Sequence, residues 1–164
     1  MDKGFDLSQL VNRAKAEMAV ARRTAQAFFE CRDDNDQAEQ YSIGECIAEA
    51  DYEEAGRLIA EVWRDMGYPV EEGKGIPLPE YQKAREGALA RLLVIRDAQD
   101  EIIGTAGYRR LENGDVLLEK FYVHPDKQGK GIGKQALREV IKQLEEKEFN
   151  GDLVLDTNRR TVDN

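Results

Sequence analysis

The chain has 164 residues and a formal net charge of −9, from 24 lysines and arginines against 33 aspartates and glutamates. This length is typical of one domain with its own core. The acidic balance argues against nucleic acid as a partner, and no stretch approaches the ~20 apolar residues that span a bilayer. The first residues show no signal-peptide pattern, and the two cysteines, Cys31 and Cys46, lack metal-binding spacing. We therefore expect a cytoplasmic protein that uses neither a metal nor a membrane.

The start of the chain has a helical apolar pattern. Its members are Leu7, Leu10, Val11, Ala14, Met18, Ala21, Ala25 and Phe28. This spacing predicts one amphipathic helix over residues 7 to about 31. The polar run at 32–37 then reads as a solvated linker. We therefore divide the chain into an N-terminal helix with linker, residues 1–40, and a domain, residues 41–164.

Residues 41–164 alternate between strand and helix patterns. The predicted elements are a strand at 41–47, a helix at 51–66, a loop at 71–79, a short helix at 80–90, strands at 91–96, 101–111 and 115–123, a helix at 131–148 and a buried strand at 152–156. Short turns join the three middle strands, which predicts an antiparallel meander. The last strand follows a loop–helix crossover, so it should run parallel to the end of the meander. The fold class is α/β (α+β), with a mixed sheet.

The segment between the meander and the next helix concentrates glycines and lysines. Glycines stand at 129, 131 and 133, and lysines at 127, 130 and 134. Glycine allows close approach of a ligand to the backbone, and a helix N-terminus offers unpaired N–H donors with a positive partial charge. The pattern predicts a phosphate or pyrophosphate site. The spacing excludes a Walker loop and a dinucleotide fingerprint.

The motif Gln128-Gly129-Lys130-Gly131-Ile132-Gly133 resembles the Gln/Arg-x-x-Gly-x-Gly/Ala acetyl-CoA signature of the GNAT N-acetyltransferases. Residues 118–125 resemble the fourth strand of that family, and residues 41–64 and 92–111 resemble its earlier elements. The resemblance thus covers about residues 41–164. It implies a GNAT-like sheet and transfer of an acetyl group from acetyl-CoA to a primary amine. The acceptor would be a small molecule or a protein amino group.

The resemblance also implies the cofactor site. Backbone N–H groups of the loop would hold the CoA pyrophosphate, and the end of the preceding strand would pair with the pantetheine arm. The Val123 N–H would polarise the thioester carbonyl. An asparagine after the last strand, Asn158 or Asn164, would contact the CoA arm. The predicted cofactor-binding residues are Phe121, Tyr122, Val123, Gln128, Gly129, Lys130, Gly131, Ile132, Gly133, Lys134 and Asn158.

Glu119 is the predicted general base. It is a carboxylate in an apolar strand, and strand alternation places it on the same face as Phe121 and Val123. The alternative is that Glu119 pairs with a lysine or arginine of a neighbouring strand. His124 is the only histidine, and we expect it to be exposed rather than catalytic. The strand tyrosines, Tyr108 among them, are expected to pack.

The family continues after its fifth strand with a helix that carries a tyrosine acid and with two more strands. Here residues 157–164 follow the last predicted strand. The sequence is expected to be a piece of a longer protein; a partner or swapped copy that supplies the rest, and coverage of the last strand by the N-terminal helix, are the alternatives. Either that helix or the edge of the last strand is the expected homodimer contact.

Two further functions stay open beside the enzyme. The absent acid helix favours a catalytically inactive CoA-binding regulatory or scaffold domain. The apolar stripe over residues 7–29 favours an assembly module.

Overall fold

The structure is a computed structural model that describes residues 27–84 and 90–155. These residues form β1 (Ala27–Arg32), β2 (Ala38–Glu45), α1 (Glu49–Asp65), α2 (Pro79–Ala84), β3 (Ala90–Arg96), β4 (Ile102–Arg110), β5 (Val116–Val123), a 3₁₀ turn (Pro125–Lys127), α3 (Ile132–Glu146) and β6 (Leu153–Leu155). Within the described ranges, no helix combines the length and the apolar character that a membrane span requires.

The strands form one mixed sheet in the order β1-β2-β3-β4-β5-β6. Neighbours are antiparallel from β1 to β5, and β6 runs parallel to β5. The predicted meander and the predicted parallel last strand are therefore confirmed. The parallel pair is joined through α3, as a crossover connection requires.

Helices cover the two faces of the sheet. On one face, α3 contacts β4 and β5 and also reaches β1 at the far edge, so the sheet curls around it. We call the apolar cluster there the α3 core; it includes Ile43, Ile95, Leu118, Ile132 and Val140. The cluster on the opposite face, the α1 core, includes Leu58, Ile59, Tyr81, Leu92 and Val94.

The N-terminal helix prediction is wrong at its end. Residues 27–32 form β1, whose register with β2 pairs Phe29 with Tyr41 and Arg32 with Ala38. The side chains alternate between partly buried and exposed, and Phe28 is 72% exposed. The sheet therefore begins before the predicted boundary at 40/41, which falls inside β2. The rest of the predicted helix lies outside the described residues.

The predicted linker at 32–37 is the turn of a β-hairpin. Asp33 accepts hydrogen bonds at Oδ1 from the N–H groups of Asn35 and Gln37. Asp97 does the same in the β3–β4 turn, with Gln99 and Glu101. Aspartate side chains favour such turns because they replace a backbone acceptor. The same turn chemistry that identified the second hairpin was present in the first.

The last strand is shorter and more exposed than predicted. In β6, Leu153, Val154 and Leu155 are 42%, 40% and 53% exposed. The prediction of a buried strand is therefore wrong. Only its β5 side is paired within the described part of the chain.

Candidate active site

The loop after β5 is closed by its own side chains. His124 caps the 3₁₀ turn, since its Nδ1 accepts a hydrogen bond of 3.1 Å from the Asp126 N–H. Gln128 turns back, and its Nε2 donates to the Val123 carbonyl at 3.0 Å. These two bonds hold the chain in the bend that leads from β5 to α3. The predicted cofactor-binding Gln128 thus shapes the loop with its side chain.

The N-terminus of α3 is open to a ligand. Gly129 and Gly131 have φ angles of +82° and +85°, a region that favours glycine. Apart from the chain neighbours, no heavy atom of the described residues lies within 4 Å of a Cβ built on either glycine. Gly131 is the N-cap, no side chain caps the helix, and its first turn carries no acid. The first N–H groups of α3 therefore point outward with a positive partial charge, which suits an anion.

The other predicted cofactor-binding residues differ in their burial and in the group that they can offer to a ligand. Ile132 is buried in the α3 core, so only its backbone N–H is available to a ligand. Gly133 has room for a methyl group, since the nearest atom to its built Cβ is Val123 Cγ2 at 3.9 Å. Lys134 is exposed. Asn158 lies outside the described residues.

A glutamate from the first hairpin holds two of the loop lysines. Glu39 on β2 lies 3.3 Å from the Lys130 Nζ and 3.6 Å from the Lys127 Nζ. Its carboxylate also accepts a hydrogen bond from the Tyr41 hydroxyl. That bond, and next the Lys130 ammonium, hold the pKa of Glu39 below its ordinary value. Burial raises the pKa of Tyr41, and the hydrogen bond to Glu39 raises it further.

Within the part of the chain that the structure describes, the second half of β5 has a partner strand on one side only. The β5–β6 ladder runs from Val116 with Leu153 to Leu118 with Leu155. From Glu119 onward, β5 is paired among the described residues with β4 alone. This edge runs directly into the glycine loop. An extended chain with amide groups can therefore pair with β5 and end at the N-terminus of α3.

A bulge overturns the predicted alternation along β5. Lys120 has a φ of +61°, and the β4–β5 register shifts there. The Thr105 hydroxyl donates to the Lys120 carbonyl at 2.7 Å. Phe121 and Val123 pack against the α3 core. Glu119 instead contacts the α1 core, so it does not share their face; the extra residue reverses side-chain direction.

Glu119 is held by two donors. The Tyr81 hydroxyl donates to Glu119 Oε1 at 2.6 Å, and the Arg109 Nε–H donates to the same oxygen at 2.9 Å. The Glu119 side chain is only 7% exposed. The alternative considered for Glu119, pairing with an arginine of a neighbouring strand, is what the structure shows, and its catalytic role stays a prediction.

His124 is partly buried rather than exposed. Its side chain is 28% exposed, and Nε2 lies 3.4 Å from Glu61 on α1. It lines a cleft of about 670 Å³ between α1 and the β3–β4 turn. Tyr122 packs on the α1 core beside Trp63, with ring centroids 6.4 Å apart. The expectation that Tyr122 packs is therefore confirmed.

Sequence reasoning missed Tyr81 and Arg109, which bind Glu119, and it missed Glu39, which contacts the loop lysines. Tyr81 and Arg109 come from α2 and β4, and Glu39 from a segment assigned to a linker. No short-range pattern joins them to the motif that they surround. Only the hairpin turn signal at 33–36 could have brought Glu39 into the sheet.

Comparisons with known proteins agree with this geometry. A family model described as the acetyltransferase (GNAT) family matches residues 47–163. No curated protein is significantly similar in sequence to the chain.

Solved structures of the same fold include three with different descriptions. A GNAT-family acetyltransferase from Staphylococcus aureus Mu50 has a TM-score of 0.59 at 21% identity, over 75% of this chain and 76% of that one. A ribosomal-protein-alanine N-acetyltransferase from Brucella melitensis has a TM-score of 0.54 at 22% identity, over 75% of this chain and 84% of that one. An aminoglycoside acetyltransferase from an uncultured soil metagenomic sample has a TM-score of 0.56 at 20% identity, over 75% of this chain and 83% of that one.

Proposed function

Since the chain belongs to the GNAT acetyltransferase family, we propose that it transfers an acetyl group from acetyl-CoA to a primary amine. One observation carries this proposal: the second half of β5, which among the described residues pairs with β4 alone, leads into the uncapped, glycine-lined N-terminus of α3. The first feature suits an extended arm with amide groups, and the second suits a pyrophosphate. Acetyl-CoA has both parts in this order.

The backbone is proposed to do most of the binding. The N–H groups of residues 129–134 would hold the pyrophosphate, with Lys127 and Lys130 beside them. The end of β5, at Tyr122 and Val123, would pair with the pantetheine arm. In this arrangement the Val123 N–H would stabilise negative charge on the thioester oxygen.

Glu119 is proposed to act as the general base. The acceptor arrives as an ammonium ion and gives one proton to Glu119, which frees the nitrogen lone pair. A C–N bond then forms at the acetyl carbon, and the C–S bond breaks with its electron pair on sulfur. A second nitrogen proton neutralises the thiolate, so an amide and the CoA thiol result. Glu119 finally returns its proton to solvent.

The acceptor is proposed to be a small molecule or a protein amino group. It would approach along α1 and the loop after it, where the Trp63 ring lies edge-on to Tyr122. The similar structures carry descriptions with a ribosomal protein in one case and an aminoglycoside in another. The fold is thus compatible with either class, and the choice needs a direct assay.

The test is incubation with acetyl-CoA and a panel of diamines, aminoglycosides and peptides with free amino groups. Mass spectrometry detects acetylated amines, and a thiol reagent detects released CoA. We expect both products in equal amounts from at least one class. Tight CoA binding without an acetylated amine from any class would contradict the enzyme and support a CoA-binding module.

A further inference from the structure

We propose that Tyr81 and Arg109 are positioning residues that hold one oxygen of Glu119, so that the other oxygen, Oε2, faces the acceptor amine. This inference rests on the proposed function, in which Glu119 takes the proton. It assigns a role to α2, which contributes nothing to the glycine motif.

Both donors bind the same oxygen. The Tyr81 hydroxyl and the Arg109 Nε lie 2.6 Å and 2.9 Å from Glu119 Oε1. They come from different elements, α2 and β4, so the carboxylate is held from two directions. A carboxylate with both donors on one oxygen keeps its second oxygen free to accept a proton.

The second oxygen of Glu119 has no partner among the described residues. Among the residues that the structure describes, Oε2 of Glu119 accepts no hydrogen bond. The one fully buried side-chain nitrogen or oxygen without a partner in that part of the chain is Arg96 Nε. Within the described residues, Oε2 is therefore unpaired but not fully buried. That combination suits a proton acceptor in an otherwise buried side chain.

A glycine makes room for the tyrosine. A Cβ built on Gly107 would lie 2.8 Å from the Tyr81 hydroxyl oxygen and 3.0 Å from the Glu119 carbonyl oxygen. Gly107 is paired with Glu119 across the β4–β5 ladder. Any side chain at 107 would push the hydroxyl away from the carboxylate. The glycine thus permits the contact on which the positioning depends.

The hydroxyl remains a donor at neutral pH. Burial, and next the hydrogen bond to Glu119, raise the pKa of Tyr81 far above its ordinary value. Tyr81 is fully buried in the α1 core. It therefore holds its proton and a fixed position. Arg109 supplies the compensating positive charge, with 43% of its side chain exposed.

The first experiment compares Y81F with wild type in steady-state kinetics. The variant keeps the ring and loses only the donor. We expect kcat to fall about 10-fold, since a hydrogen bond to a charged group contributes roughly that factor. The KM for acetyl-CoA should stay unchanged, because the Tyr81 hydroxyl bonds to Glu119 and not to a group of the proposed pyrophosphate site.

A double mutant tests whether Tyr81 acts through Glu119. In the E119Q background, Y81F should cost nothing further, because residues that act as a unit are not additive. Y108F is the matched control; Tyr108 is a buried tyrosine whose hydroxyl bonds to Lys147 rather than to Glu119. It should keep wild-type kcat. An equal fold-loss from Y81F in both backgrounds would overturn the proposal.

A second readout needs no turnover. Carboxyl ¹³C NMR at one fixed pH reports the surroundings of labelled glutamates, and the Glu119 signal is the one absent from E119Q. We expect this signal to move in Y81F, and also in R109Q, whose exposed site tolerates substitution, and to stay in place in Y108F. An unmoved signal in Y81F and R109Q would overturn the positioning role. A moved signal without acetylation by wild type would support the positioning and reject the proposed function.

Discussion

Two glutamates of the sheet have similar partners but lie at different depths. Glu39 accepts a hydrogen bond from Tyr41, and Glu119 accepts one from Tyr81. The Glu39 side chain is 27% exposed and lies beside the helix N-terminus. The Glu119 side chain is 7% exposed and lies under the edge of β5. The same pairing of residue types thus occurs once at the surface and once in the interior.

The two glutamates also differ in the cations that contact them. Lys127 and Lys130, which contact Glu39, carry ammonium groups on long side chains at the proposed anion site. An incoming phosphate can compete with Glu39 for them. Arg109 binds Glu119 through a planar, directed donor that is less free to move. We call Glu39 with Tyr41 the outer pair and Glu119 with Tyr81 the inner pair. We therefore expect the outer pair to tune cofactor binding and the inner pair to govern the chemical step.

The largest effect should come from breaking the inner pair. E119Q removes the proton acceptor and keeps the shape of the side chain. We expect kcat to fall by about 10²–10⁴-fold, the usual contribution of a general base. The Kd for acetyl-CoA, measured by calorimetry, should change little. A wild-type kcat in E119Q would show that another group takes the proton.

The second-largest effect should come from a negative charge at the proposed anion site. G133E places a carboxylate at the start of α3, and we expect about a 100-fold weaker Kd for CoA, since opposed like charges cost several kcal/mol. G133A is the control, because its Cβ meets only Val123 Cγ2 at 3.9 Å. Equal CoA affinities in the two variants would contradict the pyrophosphate site.

Crowding the inner pair should lower stability. G107A directs a methyl group at the Tyr81 hydroxyl and the Glu119 carbonyl, both within 3.0 Å of its Cβ. We expect a loss of about 1–3 kcal/mol in the free energy of unfolding, typical of overpacking. Denaturant titration measures it, with G133A as the glycine-to-alanine comparison. Equal stability in both variants would mean that the β4–β5 strands adjust to the extra methyl.

The outer pair should give the smallest change in binding. E39Q frees Lys127 and Lys130, so we expect CoA to bind about 3-fold more tightly at low salt, and the gain should shrink as salt rises. E30Q is the control, because Glu30 is an exposed glutamate of the same hairpin. A gain of the same size in E30Q would indicate a general charge effect.

The outer pair should also affect stability with pH. The pKa of Glu39 is lowered, first by the Tyr41 hydrogen bond. Its stabilising contribution is therefore complete at a pH above the ordinary pKa of a glutamate. That contribution is lost as the pH falls through the lowered pKa of Glu39 in the folded protein. Wild type should be more stable than E39Q at neutral pH, and the two should converge on acidification. Thermal unfolding across pH measures this; a constant difference would refute the linkage.

Much of the central fold could be predicted from local signals. Turn residues at 97–100 and 112–115 and alternating strands identified the meander, and the crossover rule placed β6 parallel to β5. The signal failed at 27–32, where spacing continued a helical pattern but the residues pair with β2. Pairing with a neighbouring strand outweighed a weak local preference, as tertiary context often does.

The site divides in the same way. The uncapped start of α3 could be predicted because it is built from consecutive backbone groups, whose geometry follows from Gly129, Gly131 and the helix start. The face of Glu119 could not be predicted, because the bulge at Lys120 depends on pairing with β4. One extra residue reverses strand alternation, and nothing in the strand itself marks it.

The sequence by itself determined the order of elements, the glycine loop and the family resemblance, because each depends on neighbours along the chain. Only the tertiary structure brought Tyr81, Arg109 and Glu119 together, from three separate elements. It also placed Glu39 against the loop lysines, far from them in sequence. Contacts of this kind depend on how the sheet curls and how the helices pack. Short-range patterns carry no record of that packing.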